Sequence, residues 1–285
     1  MPLNNRRILE IAQEQSAMDC SCLASDFERP ENTVRESKPA EGARRYLKLP
    51  HLCDLVSYGT NVVACCAPEL IPGVEDFLRA MPNVPSCFET PGIYALNALL
   101  APYDARVCFM AEYFLPDVDR VQAFRPHCEY PLRLLGPQDL AGLYMPQWHN
   151  ALTMDQPERD ALAVGAYDGD KLVGLAGCSA DCDRMWQIGI DVLPEYRRRG
   201  IASALTNRLA LECLARDIVP FYCAAWSNVR SVRNALRAGF RPGWVEVTAK
   251  PNAFIAQMAQ RRQAPPDAPL PSGGPDCRAC PASPR

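Results

Sequence analysis

The stretch that decides the fold is residues 188–202, which read Ile-Gly-Ile-Asp-Val-Leu-Pro-Glu-Tyr-Arg-Arg-Arg-Gly-Ile-Ala. Up to Val192, large apolar residues alternate with small or polar ones, which predicts a strand with one buried face. A basic turn follows, and a helix is expected from about Gly200 to Ala215, where apolar residues recur four apart. This stretch therefore predicts a strand, a sharp turn and a helix N-terminus.

Such a turn is suited to bind an anion. Gly200 and Ala202 carry little or no side chain, so the backbone N–H groups beside them can face a ligand. The positive end of the helix dipole lies at the same place, and Arg197, Arg198 and Arg199 add positive charge. We expect the amides of Arg198 to Ala202 to bind a pyrophosphate.

The surrounding sequence predicts an α/β fold with a mixed sheet and helices packed on it. Between Tyr130 and Lys250 the patterns indicate the order β-α-β-β-β-α-β-α-β. One of the predicted helices covers Gln138 to Trp148, and another runs from Asn228 to Ala238, before Gly239.

Composition divides the chain into four parts. Residues 1–45 are polar and charge-mixed and are expected to form a mobile lead-in, and residues 46–128 an N-terminal companion domain. Residues 129–250 form the regular domain with the basic turn, and residues 251–285 a proline-rich C-terminal tail.

Charge and hydropathy exclude several classes of function. With 30 Lys and Arg against 33 Asp and Glu, the net charge is −3, and no basic field is available for a nucleic-acid backbone. No apolar run is long enough to span a membrane, and the N-terminus lacks the apolar core of a signal peptide. We therefore expect a cytoplasmic protein without nucleic-acid or membrane partners.

The 14 cysteines are interpreted mainly as small buried hydrophobic residues. Two pairs differ, Cys20-x-Cys22 and Cys277-x-x-Cys280. Four thiolates could hold zinc if the termini met, and a thiol- or zinc-linked regulatory protein is one reading of these pairs. A lone C-x-x-C in a tail is more often a pair of free thiols, and we predict no metal site.

The basic turn resembles the signature of the GNAT superfamily of acetyl-CoA-dependent N-acetyltransferases, in which Val-x-Pro-Glu precedes Arg/Gln-x-x-Gly-x-Gly/Ala. A second motif matches as well, an asparagine followed by an alanine-containing helix and Gly-Phe, here Asn228 to Phe240. The resemblance covers about Tyr130 to Lys250. It implies the GNAT fold, a mostly antiparallel central sheet flanked by helices, here preceded by a smaller, partial GNAT-like N-terminal domain.

The resemblance also implies which residues hold acetyl-CoA as co-substrate. The strand end, including Val192 and Leu193, would pair with the pantetheine arm, and a backbone N–H there would polarise the thioester carbonyl. The pyrophosphate would lie against the loop, formed by Arg197, Arg198, Arg199, Gly200, Ile201 and Ala202. Asn228 matches a coenzyme-contacting asparagine and is equally suited to cap the helix that follows.

The sequence departs from the family at the catalytic acid. The tyrosine that many members carry seven residues after the asparagine is replaced by Ala235. Tyr222 is a weak candidate for the missing proton donor, and water is the other. Asp191 is a possible general base, because the alternation places it opposite the buried face of its strand, although a structural carboxylate there is equally consistent.

These observations predict a GNAT-type acyltransferase that moves the acetyl group of acetyl-CoA to a primary amine of a small-molecule acceptor, by direct attack in a ternary complex. The alternative is a non-catalytic acyl-CoA-binding sensor or scaffold, which the alanine at position 235 suggests. The acceptor, the acyl chain length and the oligomeric state are left open by the sequence.

Overall fold

The structure is a computed structural model that describes residues 3–263. The described chain forms two compact units. The first unit contains residues 3–12 and 113–243, and the second contains residues 13–112 and 244–263. No helix in the described range combines the length and the apolar character that a membrane crossing requires.

The described chain contains both helices and strands throughout its length. The helices are α1 (Asn5–Asp19), α2 (Ile71–Ala80), α3 (Thr90–Leu100), α4 (Val118–Ala123), α5 (Ile201–Leu214), α6 (Val229–Arg237) and α7 (Asn252–Gln263). The strands are β1 (Thr33–Glu36), β2 (Cys53–Ser57), β3 (Val63–Cys66), β4 (Ala105–Pro116), β5 (Leu132–Leu135), β6 (Asp160–Asp168), β7 (Lys171–Ser179), β8 (Met185–Val192), β9 (Val219–Ala225) and β10 (Phe240–Pro251).

The first unit is built on strands in the order β9-β8-β7-β6-β5. The pairs β5/β6, β6/β7 and β7/β8 are antiparallel, whereas β8 and β9 are parallel. A parallel pair needs a crossover connection, which α5 provides between β8 and β9. The predicted mixed, mostly antiparallel sheet with flanking helices is confirmed.

Both faces of this sheet are covered. Ile188 packs in one hydrophobic cluster with residues of α5, including Leu205 and Leu209. On the other face, Trp148 and Leu152 pack on Leu175 in a smaller cluster. The alternation that the sequence predicts for β8 is therefore observed, but the face opposite Ile188 is also buried, because residues 137–154 lie over it.

In the second unit, β1 pairs with β3 in parallel, and β2 pairs antiparallel with both β3 and β10. One face carries a hydrophobic cluster that includes Leu55, Val74 and Leu96, from β2, α2 and α3. Asp54 is the neighbour of Leu55 in β2, and Cys65 is the partner of Asp54 in β3. Because side chains alternate along a strand, Asp54 and Cys65 project from the opposite face of the sheet.

The structure differs from three of the sequence expectations. Residues 5–36, placed in a mobile lead-in, contain α1 and β1, and residues 252–263, placed in the tail, form α7. Residues 138–148, expected to be helical, form separate 3₁₀ turns at Pro137–Leu140 and Pro146–Trp148. A proline begins each of these turns, and Pro146 cannot donate the backbone bond that a continuous helix needs. Cys277 and Cys280 lie outside the described residues.

Candidate functional site

The basic turn between β8 and α5 contains two residues in left-handed conformation. Arg198 has φ +62° and Gly200 has φ +76°. Gly200 is the residue that precedes the first turn of α5, and the Ala204 amide donates to its carbonyl at 3.1 Å. Left-handed residues so close together turn successive N–H groups towards one side, which forms a concave anion site.

The amides of this turn have no acceptor in the described part of the chain. The Arg197 amide donates to Pro194 O, and the Ala204 amide to Gly200 O, but no amide from Arg198 to Ser203 donates to a protein group. Unshared N–H groups are expected at the start of a helix. This arrangement leaves them available to the ligand that the sequence predicts there.

A glycine is needed at position 200 both because the backbone is left-handed and because a neighbouring carbonyl lies too close for a side chain. A Cβ at this position would lie 2.1 Å from the carbonyl oxygen of His127. The segment 124–130 thus runs directly beside the turn and forms the second wall of the site.

A cavity of about 530 Å³ opens between this segment and the start of α5. Four arginines line it, Arg125, Arg198, Arg199 and Arg237, against one carboxylate, Glu129. The other lining residues are Phe124, His127, Tyr130, Gly200 and Ser203. The excess of guanidinium groups beside a helix N-terminus favours a ligand with several negative charges.

Aromatic contacts hold the turn in place, and sequence reasoning did not anticipate them. Arg199 Nη1 donates to the Tyr130 hydroxyl at 2.6 Å, and the Tyr130 and Tyr196 rings meet edge to face. The Tyr196 hydroxyl donates to Asp168 Oδ2 at 2.9 Å, a bond that raises the pKa of Tyr196. Arg197 is directed inward, since its Nε donates to Val192 O at 3.1 Å.

The parallel pairing of β8 with β9 ends before either strand does. The paired residues run from Met185 and Val219 to Ile188 and Tyr222, whereas β8 continues to Val192 and β9 to Ala225. Beyond Ile188 the two strands therefore leave a gap in the sheet.

The orientation of the β8 backbone at this gap follows from its other neighbour. The Leu193 amide donates to Val173 O at 3.0 Å, so 193/173 is a hydrogen-bonded pair of the β7/β8 ladder. Because such pairs alternate in an antiparallel ladder, the N–H groups of Ile190 and Val192 point away from β7, towards the gap. Leu193, which the sequence grouped with Val192, has its amide engaged within the sheet.

Asp191 lies on the opposite face and is held by residues 150 and 151. Its Oδ2 accepts from the amides of Asn150 (2.8 Å) and Ala151 (3.0 Å), and its Oδ1 accepts from Asn150 Nδ2 (2.7 Å). Burial raises the pKa of Asp191, and these hydrogen bonds partly offset the effect. The carboxylate fastens the 150–151 segment to β8.

Two glycines let this segment lie flat on the sheet. Gly177 and Gly189 are paired across β7 and β8. A Cβ on Gly189 would lie 1.7 Å from Asn150 O, and a Cβ on Gly177 would lie 2.2 Å from Ala151 O. Sequence reasoning missed this contact, although two glycines within buried strands are a recognisable signal of close backbone approach.

Tyr222 is buried at the point where the β8/β9 pairing ends. Its side chain is 3% exposed and is hydrogen-bonded to the side chains of Ser231 and Asn234 on α6. Burial raises the pKa of Tyr222, so the phenol is protonated at neutral pH. Ala235, the residue at the family's usual acid position, is fully buried directly after Asn234.

Asn228 caps α6. Its Oδ1 accepts from the Ser231 amide at 3.2 Å, which is the capping role that the sequence allowed. The described structure gives its Nδ2 no partner, so that group is free for a ligand.

Comparison with known proteins gives one family match, over part of the chain. A family model described as GNAT acetyltransferase matches residues 147–243. No curated protein matches the chain.

Solved structures also match parts of the chain. One is a putative GNAT-family acetyltransferase from Novosphingobium aromaticivorans, 20% identical over 51% of this chain and 66% of its own, with a TM-score of 0.39. A GCN5-related N-acetyltransferase-like protein from Streptococcus suis is 17% identical over 54% and 66%, with a TM-score of 0.38. An aminoglycoside N-acetyltransferase in complex with CoA is 19% identical over 40% and 88%, with a TM-score of 0.32. The chain thus spans less than two thirds of the first two proteins.

Proposed function

We propose that this chain, whose residues 147–243 match the family model described as GNAT acetyltransferase, is an N-acetyltransferase of that superfamily. It transfers the acetyl group of acetyl-CoA to a primary amine of a small-molecule acceptor, by direct attack in a ternary complex. The observation that carries this proposal is the set of unshared amides from Arg198 to Ser203 at the start of α5.

The coenzyme pyrophosphate binds at these amides. Arg198 and Arg199 supply positive charge on the loop, and Arg125 and Arg237 supply it from the facing walls. Backbone N–H groups and guanidinium groups both form strong hydrogen bonds to phosphate oxygens. Arg197 does not take part, because it is bonded to Val192 O.

The pantetheine arm occupies the gap between β8 and β9. The amide-rich arm pairs with the backbone of Ile190 and Val192, whose N–H groups point into the gap. The Val192 N–H donates to the thioester oxygen, and this bond strengthens as negative charge develops there during attack.

The reaction is a single acyl transfer. The amine nitrogen attacks the thioester carbon, the C–S bond breaks, and the sulfur leaves as the thiolate of coenzyme A. The amine gives up one proton to a base, and the thiolate receives one from an acid. We assign the acid to Tyr222, a protonated phenol at the closed end of the gap.

Asp191 as the general base stays a prediction. Its carboxylate accepts three hydrogen bonds, which supports a positioning role in which it holds the segment 149–152 as one wall of the acceptor site. The two roles differ in what their loss changes, since a base shifts the pH profile and a positioning group changes stability and the KM of the acceptor.

A second function, coenzyme binding without turnover, is favoured by one observation. Ala235 leaves the usual acid position without a hydroxyl, and it is fully buried. A sensor or scaffold of this kind would bind coenzyme A through the same turn.

Two measurements test the proposals together. Calorimetric titration of the full chain with coenzyme A is expected to show binding at one site, and absence of binding would overturn both functions. Release of free thiol from acetyl-CoA over a panel of primary amines then separates them. Amine-dependent release supports the acetyltransferase, and binding without release from any amine supports the sensor.

A further inference from the structure

The second unit contains a cluster of two thiols and a carboxylate that the proposed function does not use. Cys20 follows the last residue of α1, Asp54 lies in β2, and Cys65 lies in β3. The two Sγ atoms and one carboxylate oxygen of Asp54 all lie within 4.8 Å of one another. Each residue is at most 1% exposed.

The fold brings these three groups together in a defined way. Asp54 and Cys65 are partners in the antiparallel β2/β3 ladder, so their side chains project side by side from the same face of the sheet. Their neighbours Cys53 and Cys66 project from the other face, into the hydrophobic cluster. Cys20 reaches the pair from the position directly after α1.

Buried carboxyl groups lie close to the cluster. Asp19 is paired with Arg44 at 3.0 Å, and both side chains are buried. Glu246 and Asp54 are buried as well, and Lys250 and Arg44 are cations that act on Asp54. Isolated carboxylates are costly to bury, and a bound cation is one way to stabilise them.

Asp54 is also oriented by a second hydrogen-bonding residue. Thr248 Oγ1 donates to Asp54 Oδ1, and the two residues are paired across β2 and β10. Metal-binding carboxylates are commonly held by such outer hydrogen bonds, which fix the oxygen that faces the ion.

We propose that Cys20, Asp54 and Cys65 bind one Zn²⁺ ion. Around a tetrahedral Zn²⁺, with Zn–S about 2.3 Å and Zn–O about 2.1 Å, neighbouring ligand atoms lie roughly 3.5–3.8 Å apart. The ligand atoms of the cluster lie within 4.8 Å of one another, so a small inward movement of the side chains would give that spacing. Thiolates select Zn²⁺ over Mg²⁺ or Ca²⁺, which prefer oxygen ligands alone.

Binding exchanges two protons for one Zn²⁺ ion, so the net charge of the site is the same before and after. The two thiols release their protons to solvent and become thiolates, and with the Asp54 carboxylate they give the ion three negative ligands. A water molecule fills the fourth position. The ion joins α1 to β2 and β3, so its role is to stabilise the second unit, and it takes no part in acyl transfer.

The first test is metal content of the full chain grown with added zinc. Mass spectrometry is expected to find about one zinc per chain. The variants Cys20→Ser and Cys65→Ser are expected to retain less than about a tenth of it. Cys66→Ser is the matched control, because Cys66 is equally buried next to Cys65 but faces away, and it is expected to keep the metal.

Absence of zinc from the wild type, or full retention in Cys20→Ser and Cys65→Ser, overturns the proposal. So does loss of zinc in a Cys277→Ser/Cys280→Ser double variant, which would place the metal on the terminal pair.

X-ray absorption at the zinc edge covers the case in which the serine variants do not fold, since it uses the wild type. Two sulfur and two oxygen or nitrogen neighbours support the site, and any other number of sulfurs overturns it. Replacement by Co²⁺ gives an independent readout, because a thiolate-to-cobalt charge-transfer band is expected in the wild type and in Cys66→Ser. Its absence in the wild type contradicts the assignment.

Discussion

Asp191 and Asn150 are joined by two hydrogen bonds, one from the Asn150 amide to Oδ2 at 2.8 Å and one from Asn150 Nδ2 to Oδ1 at 2.7 Å. With a third bond from Ala151, the carboxylate meets three N–H donors. A carboxylate, which is an acceptor at both oxygens, is the side chain that fits this set of donors.

Asp191→Asn is therefore expected to destabilise the first unit, because its amide NH₂ would face a donor and leave it unsatisfied. The expected loss is about 1–3 kcal/mol in the free energy of unfolding, measured by urea denaturation. Glu195→Gln is the control, since Glu195 is an exposed carboxylate paired with Lys171, and no measurable change is expected. Unchanged stability with a lost acidic limb in the pH–rate profile would instead identify Asp191 as a base.

Gly200→Ala is expected to weaken coenzyme A binding at least tenfold. The new Cβ collides with His127 O and also requires a left-handed backbone, which costs an alanine about 1–2 kcal/mol. Gly169→Ala is the matched control, because Gly169 has φ +60° and open space around its Cβ position. That variant is expected to lose similar stability and no affinity. If calorimetry gives Gly200→Ala the same affinity for coenzyme A as the wild type, the turn does not hold the coenzyme.

Removing single arginines from the cavity tests its charge. Arg198→Ala and Arg237→Ala are each expected to raise the Kd of coenzyme A about tenfold, since a hydrogen bond to a charged group contributes about 1.5–3 kcal/mol. The difference from wild type should shrink at high salt. Arg216→Ala serves as control, because Arg216 pairs with Glu212 and does not line the cavity. If all three variants lose the same affinity for coenzyme A, the effect comes from the net charge of the protein and not from the arginines of the cavity.

Tyr222→Phe removes the proposed proton donor and keeps the ring. We expect kcat to fall about 100-fold with the KM for acetyl-CoA unchanged, and the basic limb of the pH–rate profile to disappear. Tyr94→Phe, at an exposed tyrosine of α3, is the control and is expected to leave kcat and the pH–rate profile unchanged. If Tyr222→Phe keeps its kcat, water is the proton donor.

Asp117 caps α4, which leads into the wall of the cavity. Its Oδ1 accepts from the Arg120 amide, and this hydrogen bond lowers the pKa of Asp117. The capping hydrogen bond therefore contributes its full stabilisation above the pKa of Asp117 in the unfolded chain, which is about 3.9. This stabilisation is lost as the pH falls through the lower pKa of Asp117 in the folded state. Asp117→Ala is expected to cost about 1 kcal/mol at neutral pH, and Asp117→Asn much less, because it keeps the capping oxygen. Equal losses in thermal denaturation would contradict the capping role.

The part of the fold that local patterns determine could be predicted from the sequence. The alternation of β8, the turn and the start of α5 follow from neighbouring residues, and the structure has them in that order. The orientation of the Val192 N–H could not be predicted, because it depends on which β7/β8 pairs are hydrogen-bonded.

Order in the first 45 residues was missed because its stabilising contacts are distant in sequence. Gln15 Nε2 donates to Gly42 O, and Asn61 Nδ2 donates to Asp26 O. The buried Arg44 and Asp19 pair in the same way. A polar segment without an apolar period has no local signal for such partners, so composition alone indicated a mobile lead-in.

The paired glycines at 177 and 189 have a consequence for how this protein can diversify. Main-chain atoms of Asn150 and Ala151 pack directly on main-chain atoms of β7 and β8. The distance between this segment and the sheet therefore does not depend on side-chain size. His149 precedes this segment in the chain, is exposed, and can be replaced without moving residues 150 and 151. In the proposed acceptor site, outward side chains can therefore change while the main chain of residues 150 and 151 keeps its position.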